Sequence, residues 1–417
     1  MKQLSCIFIF LLILGVTTAQ NQSKTVNPEK AGFSSERLAR VDSFLSREVA
    51  LGHIPNAVTY VYRHGKLVHN KAFGWKNIER KEPVLLSSIY RNASQTKAIT
   101  SVGLMMLYEK GAFLLDDPIS KYIPEFKNPV ILDKINDADS TFTSHPAKKE
   151  ITIRQLLSHS SGIPYGNKVF EKAQIPGVNS LKPLKIADVV KKIAKLPLNH
   201  EPGEGFTYGL NTDVLGYLIE VLSGMPLDVY FRTQLLDPLE MYDSYFYLPK
   251  EKENRLVTLY AQDKENGILY MSPHESNQTY PVAGAKTYFS GGAGLVGPIG
   301  DYANFCSMLL NKGNFKGKQL ISPKTVELMT RNQIGEYEVW DRKEKFGLGF
   351  ELITEKRAAV NLSSVGAYGW GGMYATSYVI DPVEHMILLI YTNAYPLQNQ
   401  IGEKFKVLVY QAINIEK

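Results

Sequence analysis

The stretch Asn92-Ala93-Ser94-Gln95-Thr96-Lys97 places a lysine three residues after a serine, and it contains the only Ser-x-x-Lys in the chain. Ile99, Val102 and Met106 follow at helical spacing and Gly111 ends the pattern, which predicts a helix beginning at Ser94. A serine there lies at the positive end of the helix dipole, with the lysine on the same face. The lysine can accept the hydroxyl proton if partial burial lowers its pKa. The plain alternative is an N-cap serine followed by a surface lysine.

Two further segments contain residue types that complete such a site. In Phe206-Thr207-Tyr208-Gly209-Leu210-Asn211-Thr212-Asp213, Tyr208 is either a core side chain or a second proton carrier. In Tyr368-Gly369-Trp370-Gly371-Gly372-Met373, the clustered glycines either mark a bend or let strand N–H groups face a substrate.

These three segments, in this order, resemble the serine β-lactamase and penicillin-binding-protein superfamily, most closely class C β-lactamases and the family VIII carboxylesterases of similar fold. The resemblance covers nearly the whole chain beyond its N-terminal segment. Four further stretches resemble framework segments typical of that superfamily: residues 114–118, 153–162, 290–295 and 346–350.

The resemblance implies a serine hydrolase that works by acyl transfer. Ser94 is implied as the nucleophile, with Lys97 and Tyr208 sharing its proton. The N–H groups of Ser94 and Met373 are implied to form the oxyanion hole, in which one donor is typically worth about 10²–10³ in rate. Water then releases the acyl group. Whether Lys97 or Tyr208 is the base stays open, because close titrating groups behave as a coupled pair.

Two departures from the family pattern bear on the substrate. Class C enzymes usually carry Tyr-x-Asn in the second motif, whereas Leu210 stands there and Asn211 comes one place late. The third motif has Trp370-Gly371-Gly372 in place of Lys-Thr-Gly, which resembles the esterase branch. A tryptophan supplies no charge for the carboxylate of a β-lactam, and an apolar group suits this wall better. We therefore predict Trp370, Gly371, Gly372 and Leu210 at the substrate, and a carboxylesterase for short-chain esters.

Periodicity outside the motifs predicts the rest of the fold. Ser34 is a candidate N-cap for a helix, and residues 57–63 and 66–73 alternate like two strands joined at His64-Gly65. Further strands are expected near the C-terminus, at residues 347–352, 375–380 and 386–392, followed by an amphipathic helix with Ile401, Phe405 and Leu408. We predict an α/β (α+β), β-lactamase-like fold: a mixed, largely antiparallel sheet from both chain ends, flanking helices and a mostly helical insertion at about residues 114–287.

The N-terminus has the order of a secretory signal peptide over residues 1–19: Lys2, an apolar run from Ile7 to Val16, and small residues at Thr17-Thr18-Ala19. This order predicts a periplasmic or secreted protein with one serine hydrolase domain over residues 20–417. Cys6 precedes the apolar run, so it is not the lipid-modified cysteine of a lipoprotein, and no stable membrane anchor is expected.

Composition limits the classes of partner and substrate expected for this chain. Hydrophobic residues make up 44% of the chain, enough for a large core, and the charges behind the net +6 are interspersed. We expect no nucleic-acid partner, no cofactor and a small ester or amide substrate, with the oligomeric state open. Loss of the signal peptide would leave Cys306 as the remaining cysteine, so no intramolecular disulfide is expected.

Other interpretations of the sequence have less support from its motifs. A Ser-His-Asp α/β-hydrolase needs a Gly-x-Ser-x-Gly elbow, which the chain lacks, and His159 lies in a framework stretch. The eight histidines are scattered without His-Glu-x-x-His, so no metal site is predicted. The enzymatic alternative is a class C-like β-lactamase or D-alanyl peptidase acting on cell-wall-like amides. The non-enzymatic alternative is an inactive cell-wall binding or sensor module.

Overall fold

The computed structural model describes residues 24–414. Within that range the strands are β1 (Asn56–Arg63), β2 (Lys66–Asn77), β3 (Glu82–Pro83), β4 (Tyr90–Arg91), β5 (Val130–Ile135), β6 (Phe142–Pro146), β7 (Tyr260–Gln262), β8 (Leu269–Met271), β9 (Val296–Gly297), β10 (Asn314–Phe315), β11 (Lys318–Gln319), β12 (Lys345–Phe346), β13 (Glu351–Leu352), β14 (Tyr368–Gly372), β15 (Thr376–Asp381) and β16 (Met386–Tyr391). The helices are α1 (Ser35–Ala50), α2 (Thr96–Glu109), α3 (Ile153–Leu157), α4 (Lys168–Ala173), α5 (Ile186–Ile193), α6 (Asn211–Ser223), α7 (Leu227–Phe231), α8 (Glu275–Ala283), α9 (Ile299–Leu310), α10 (Pro323–Met329), α11 (Glu355–Ala358) and α12 (Ile401–Tyr410).

The largest sheet is antiparallel and has the order β12-β13-β14-β15-β16-β1-β2-β3. β1 pairs with β16 from Val58 opposite Tyr391 to Arg63 opposite Met386, so strands from the two ends of the chain lie side by side. The predicted sheet built from both chain ends is therefore confirmed.

The predicted N-terminal hairpin is confirmed as β1 and β2. Its turn residues have positive φ angles, 48° at His64 and 78° at Gly65, which match the twist that a two-residue hairpin loop needs. β2 continues four residues past the predicted end at residue 73, to Asn77, where it pairs with β3. The N-cap of α1 is also confirmed, since the Ser34 hydroxyl oxygen accepts a hydrogen bond from the Arg37 N–H.

Side chains on the two faces of the sheet enter two hydrophobic cores. Alternation along β1 sends Val58 into the main core, which includes α2 and α9, and sends Ala57 and Val61 into a second core. The second core is closed by α1 and α12, whose Leu45 and Phe405 are buried there. The sheet is thus covered on both faces.

Two element boundaries differ from the prediction. Residues 347–352 do not form one strand: β12 and β13 are separated by a turn in which Gly349 has φ 96°. A Cβ on Gly349 would lie 2.4 Å from the Ser101 Oγ, so glycine lets this turn press against α2. The helix predicted to start at Ser94 begins as α2 two residues later, because residues 93–95 form a separate 3-10 turn.

The segment predicted as a mostly helical insertion contains α3 to α8, together with the two-stranded sheets β5-β6 and β7-β8. Within residues 24–414 no single helix is long and apolar enough to cross a membrane. α6 and residues 227–236 reach that length and composition only as a pair bent by 80°. The predicted signal peptide, residues 1–19, lies outside the described residues.

Candidate active site

Ser94 lies in the 3-10 turn Ala93–Gln95, immediately before α2, with its side chain half-buried. Ala93 has φ 47°, a left-handed conformation that alanine rarely adopts. β14 packs directly against this turn. A Cβ added to Gly372 would lie 2.4 Å from the Asn92 backbone oxygen, so glycine at this position lets the third motif reach the nucleophile.

Lys97 lies in the first turn of α2 and is 3% exposed. Its Nζ donates to the Ser94 Oγ at 3.3 Å, to the Tyr165 hydroxyl at 2.5 Å and to the Gly292 carbonyl oxygen at 2.7 Å. The same Nζ lies 4.9 Å from the centroid of the Tyr208 ring. The structure therefore brings Ser94, Lys97 and Tyr208 together around one amino group.

The protonation state of Lys97 differs from the lowered pKa that the sequence-based mechanism requires. Burial lowers the pKa of Lys97, but Tyr165, Tyr208 and Asp213 raise it, and the resulting pKa is above that of an ordinary lysine. Burial raises the pKa of the Tyr165 phenol, against the opposing effect of Lys97. The free site thus holds an ammonium beside neutral Tyr165 at neutral pH, so a lysine with a lowered pKa is not what the structure presents.

Tyr208 is held by the third motif. The Trp370 Nε1 donates a hydrogen bond of 2.9 Å to the Tyr208 hydroxyl, and the two ring centroids are 5.1 Å apart. Gly209 allows the Tyr208 loop to approach its neighbour, because a Cβ there would lie 2.1 Å from the Ile163 backbone oxygen. Trp370, predicted as an apolar wall, also supplies a donor aimed at Tyr208, the predicted proton carrier.

Leu210 of the second motif packs against the main core. It directly precedes α6 and is partly buried. Among the described residues it does not line the cavity beside Ser94, and its assignment as a substrate-binding residue stays a prediction. Asn211 does not replace it, because the Asn211 side chain is fully buried and hydrogen-bonded to His159 and Ser161.

His159 occupies a structural position behind Tyr208. Its ring centroid lies 4.7 Å from that of Tyr208, and its Nδ1 is 2.9 Å from the Asn211 Nδ2. Burial, reinforced by the charge of Lys97, holds the pKa of His159 well below its ordinary value. His159 is therefore neutral at neutral pH, and it fixes the tyrosine loop, as its place in a framework stretch suggested.

Two aromatic residues of the site, Tyr165 and Trp340, lie outside the motifs that predict the other site residues. Tyr165 is 44% exposed, yet its hydroxyl reaches Lys97. The Trp340 ring centroid lies 5.3 Å from that of Tyr208 and 5.5 Å from that of Trp370. Both residues are in loops, whose course depends on tertiary packing. The one signal for Tyr165 was its position just after the framework stretch at residues 153–162.

A cavity of about 360 Å³ opens beside Ser94. Near the nucleophile it is lined by Tyr208, Trp340, Trp370, Gly371 and Met373. Met373 follows β14 in the chain, which keeps its N–H a candidate for the oxyanion hole. Gly372, in contrast, packs on the nucleophile turn.

The cavity lining also includes charged side chains, and these are paired. Arg342, whose guanidinium lies 4.8 Å from the centre of the Trp340 ring, is paired with Glu351, and the Lys406 Nζ lies 2.7 Å from the Glu403 Oε1. Each cation of the lining thus already has a carboxylate partner. In the described part of the chain, no group of three or more His, Cys, Asp or Glu side chains is arranged to hold a metal ion.

Comparisons with known proteins identify the family and fold of the chain. The family model described as Beta-lactamase matches residues 41–409. Esterase EstB of Burkholderia gladioli is 26% identical over 372 residues, covering 85% of this chain and 90% of its own. A protein of Escherichia coli K12, named provisionally as a D-alanyl-D-alanine carboxypeptidase, is 27% identical over 415 residues, covering 92% of this chain and 90% of its own. The structure of EstCE1, a hydrolase with promiscuous acyltransferase activity, has a TM-score of 0.74 and 25% identity, over 91% of this chain and 98% of its own.

Proposed function

The chain belongs to the beta-lactamase family and is a serine hydrolase of that fold, and we propose that it is an exported carboxylesterase that cleaves short-chain esters through an acyl-enzyme on Ser94. The observation that carries the proposal is the contact of the Lys97 Nζ with the Ser94 Oγ at 3.3 Å, beside a cavity walled by aromatic rings.

The proposed reaction begins with the loss of one proton from the cluster of Lys97 and its tyrosines, because the resting ammonium cannot accept one. The cluster then takes the Ser94 proton while Oγ attacks the ester carbonyl carbon. The N–H groups of Ser94 and Met373 bind the oxyanion, and the proton passes to the leaving alkoxide. Water repeats the sequence on the acyl-enzyme and releases the acid.

The preference for esters rests on the charge of the cavity wall. Trp370 stands where lactamases of this family carry a cationic residue, and Arg342 and Lys406 are already paired with carboxylates. A β-lactam carboxylate would have to displace one of these partners. An uncharged ester meets an aromatic wall instead, and its alkoxide leaves more readily than the nitrogen anion of an amide, which must first be protonated.

The test compares p-nitrophenyl butyrate, nitrocefin and a D-amino-acid amide on one preparation. We expect the butyrate to give the highest kcat/KM. A nitrocefin value higher by about tenfold or more, a difference of about 1.4 kcal/mol in activation free energy, would favour the β-lactamase alternative. The highest value for the amide would favour the D-alanyl peptidase, which the name of the E. coli relative supports.

The nucleophile is tested separately by labelling with a fluorophosphonate. We expect intact mass and peptide mapping to place one adduct on Ser94, and none on the Ser94→Ala variant, which should also lose hydrolysis while remaining folded. A chain that resists labelling altogether would favour the inactive binding or sensor module. Substantial hydrolysis by purified Ser94→Ala would exclude the proposed nucleophile.

Export is part of the proposal because residues 1–19 have the order of a signal peptide. We expect the mature protein, recovered from the periplasm or medium of an expressing bacterium, to begin near Gln20. Its intact mass checks this directly, and a mature chain that retains the apolar run would exclude cleavage.

A further inference from the structure

Lys97 is a buried cation whose three hydrogen-bond acceptors are neutral: the Ser94 hydroxyl, the Tyr165 hydroxyl and the Gly292 carbonyl. Removing an ammonium from water is costly unless an opposite charge compensates it. A nearby carboxylate would therefore lower the cost of burying Lys97, although none of its three hydrogen-bond partners is a carboxylate.

Asp213 is a buried carboxylate on the same side of the site. It lies in the first turn of α6 and is 3% exposed. Its Oδ1 accepts hydrogen bonds from the Ser290 Oγ at 2.6 Å, the Tyr288 hydroxyl at 3.2 Å and the Gly292 N–H at 3.4 Å. These three donors hold the Asp213 carboxylate in place at the start of α6.

Gly292 connects the two charges. Its N–H donates to Asp213, while its carbonyl oxygen accepts from Lys97. A Cβ on Gly292 would lie 2.4 Å from the Asp213 Oδ2, so the carboxylate packs directly on this glycine. The preceding residue is also held, because the Thr100 hydroxyl of α2 donates to the Gly291 carbonyl at 2.7 Å. The loop is thus clamped between α2 and α6.

We propose that Asp213 is a positioning residue that supplies the counter-charge of Lys97 through Gly292, and thereby sets the pH range in which the catalytic cluster works. The proposal rests on the proposed function of Ser94 and Lys97. It differs from a purely structural role, because a structural role requires the hydrogen bonds of Asp213 but not its charge.

Several titratable groups face these two charges. Tyr165, Tyr208 and the neutral His159 lie around Lys97, and Tyr288 faces Asp213. The negative charge of Asp213 contributes to the raised pKa of Lys97. Without that charge the ammonium loses its proton more easily. Since acylation begins with the loss of a proton from this cluster, the acid limb of activity must then move to lower pH.

The test is the pH profile of kcat/KM for p-nitrophenyl butyrate in wild-type protein and in Asp213→Asn. Asparagine keeps the shape and an acceptor oxygen for Ser290 but removes the charge. We expect the acid limb of Asp213→Asn to lie at lower pH than that of the wild-type protein, by more than the scatter between replicate profiles. The maximum rate should fall as well, because the Gly292 carbonyl is held less firmly.

Two control variants separate charge from structure. Asp301→Asn replaces another buried acidic side chain, which accepts from the Asp243 N–H and the Ser244 hydroxyl, and should leave the acid limb where it is. Ser290→Ala removes the shortest hydrogen bond of Asp213 but keeps the charge, so its limb should also stay close to the wild-type position.

An unshifted limb in folded Asp213→Asn, or an equal shift in Asp301→Asn, would overturn the proposal. Fluorophosphonate labelling of the same preparations distinguishes a failure of this proposal from a failure of the proposed function. If wild-type protein carries the adduct on Ser94 and the limb does not move, the counter-charge is refuted while the proposed function stands. If Ser94 is not labelled, the proposed function itself has failed.

Discussion

Replacing Trp370 by phenylalanine tests how the third motif acts on the catalytic tyrosine. The substitution keeps an aromatic ring in the wall of the cavity but removes the indole N–H that donates to the Tyr208 hydroxyl at 2.9 Å. The Trp370 ring also packs against aromatic side chains and against an apolar cluster that includes Ile334 and Val339, and phenylalanine preserves most of this apolar packing. The main polar change is therefore the loss of one hydrogen bond.

The size of the effect depends on the charge that Tyr208 carries. A hydrogen bond between neutral groups contributes about 0.5–1.5 kcal/mol, and one to a charged group about 1.5–3 kcal/mol. If Tyr208 bears negative charge while it handles the Ser94 proton, the donor stabilises the transition state more than the resting site. We then expect kcat to fall by about ten- to a hundredfold, since about 1.4 kcal/mol corresponds to tenfold.

Steady-state kinetics with p-nitrophenyl butyrate measure this effect, and Trp340→Phe is the matched control. Trp340 packs against the same tyrosine, with ring centroids 5.3 Å apart, so its loss changes the wall to a similar extent. We expect Trp340→Phe to alter mainly KM. Equal losses of kcat in the two variants, or an unchanged kcat in Trp370→Phe, would refute a role of the indole N–H in proton handling.

Three further outcomes follow from buried polar groups. Tyr165→Phe removes an acceptor of Lys97, and we expect kcat/KM for p-nitrophenyl butyrate to fall by about tenfold or more. Arg91→Lys should lower the free energy of unfolding, measured with urea, by about 2–4 kcal/mol, because a lysine cannot replace a fully buried guanidinium that donates to the carbonyls of Val257, Asn277 and Gln278. Burial raises the pKa of Asp301 to about 7, so stability present below about pH 4 is lost as the pH rises through 7. Thermal unfolding across this range should show the loss in wild-type protein and a flatter dependence in Asp301→Asn.

The parts of the fold that sequence could predict are those encoded by short periods or close spacing. Alternation along residues 57–63 and 66–73 located the central hairpin, and the apolar run at residues 386–392 located its partner strand. Helical spacing after Lys97 located α2. The single strand predicted at residues 347–352 was wrong because a turn at Gly349 interrupts it. This turn depends on the close approach of Gly349 to Ser101, which is a tertiary contact.

The candidate site likewise combines residues that sequence motifs predict with residues that only tertiary packing places. Ser94, Lys97 and Tyr208 could be chosen because each lies in a motif, and the structure places them around one amino group. The role of Leu210 is harder to predict, because one residue of register decides whether a side chain faces the cavity or the core at the start of α6. Tyr165 was missed because no spacing rule links a loop tyrosine to a lysine 68 residues earlier.

The distribution of charge connects these departures from the family pattern. Among the described residues, Lys97 is the cation that contacts Ser94, and Asp213 is connected to it through Gly292. The wall that a substrate meets carries Trp370, while Arg342 and Lys406 are each paired. Among the described residues, the cavity wall thus offers an anionic substrate no unpaired cation. This distribution of charge supports the proposed preference for neutral esters, and selectivity for a carboxylate should require an unpaired cation near position 370 rather than a change in the proposed catalytic cluster.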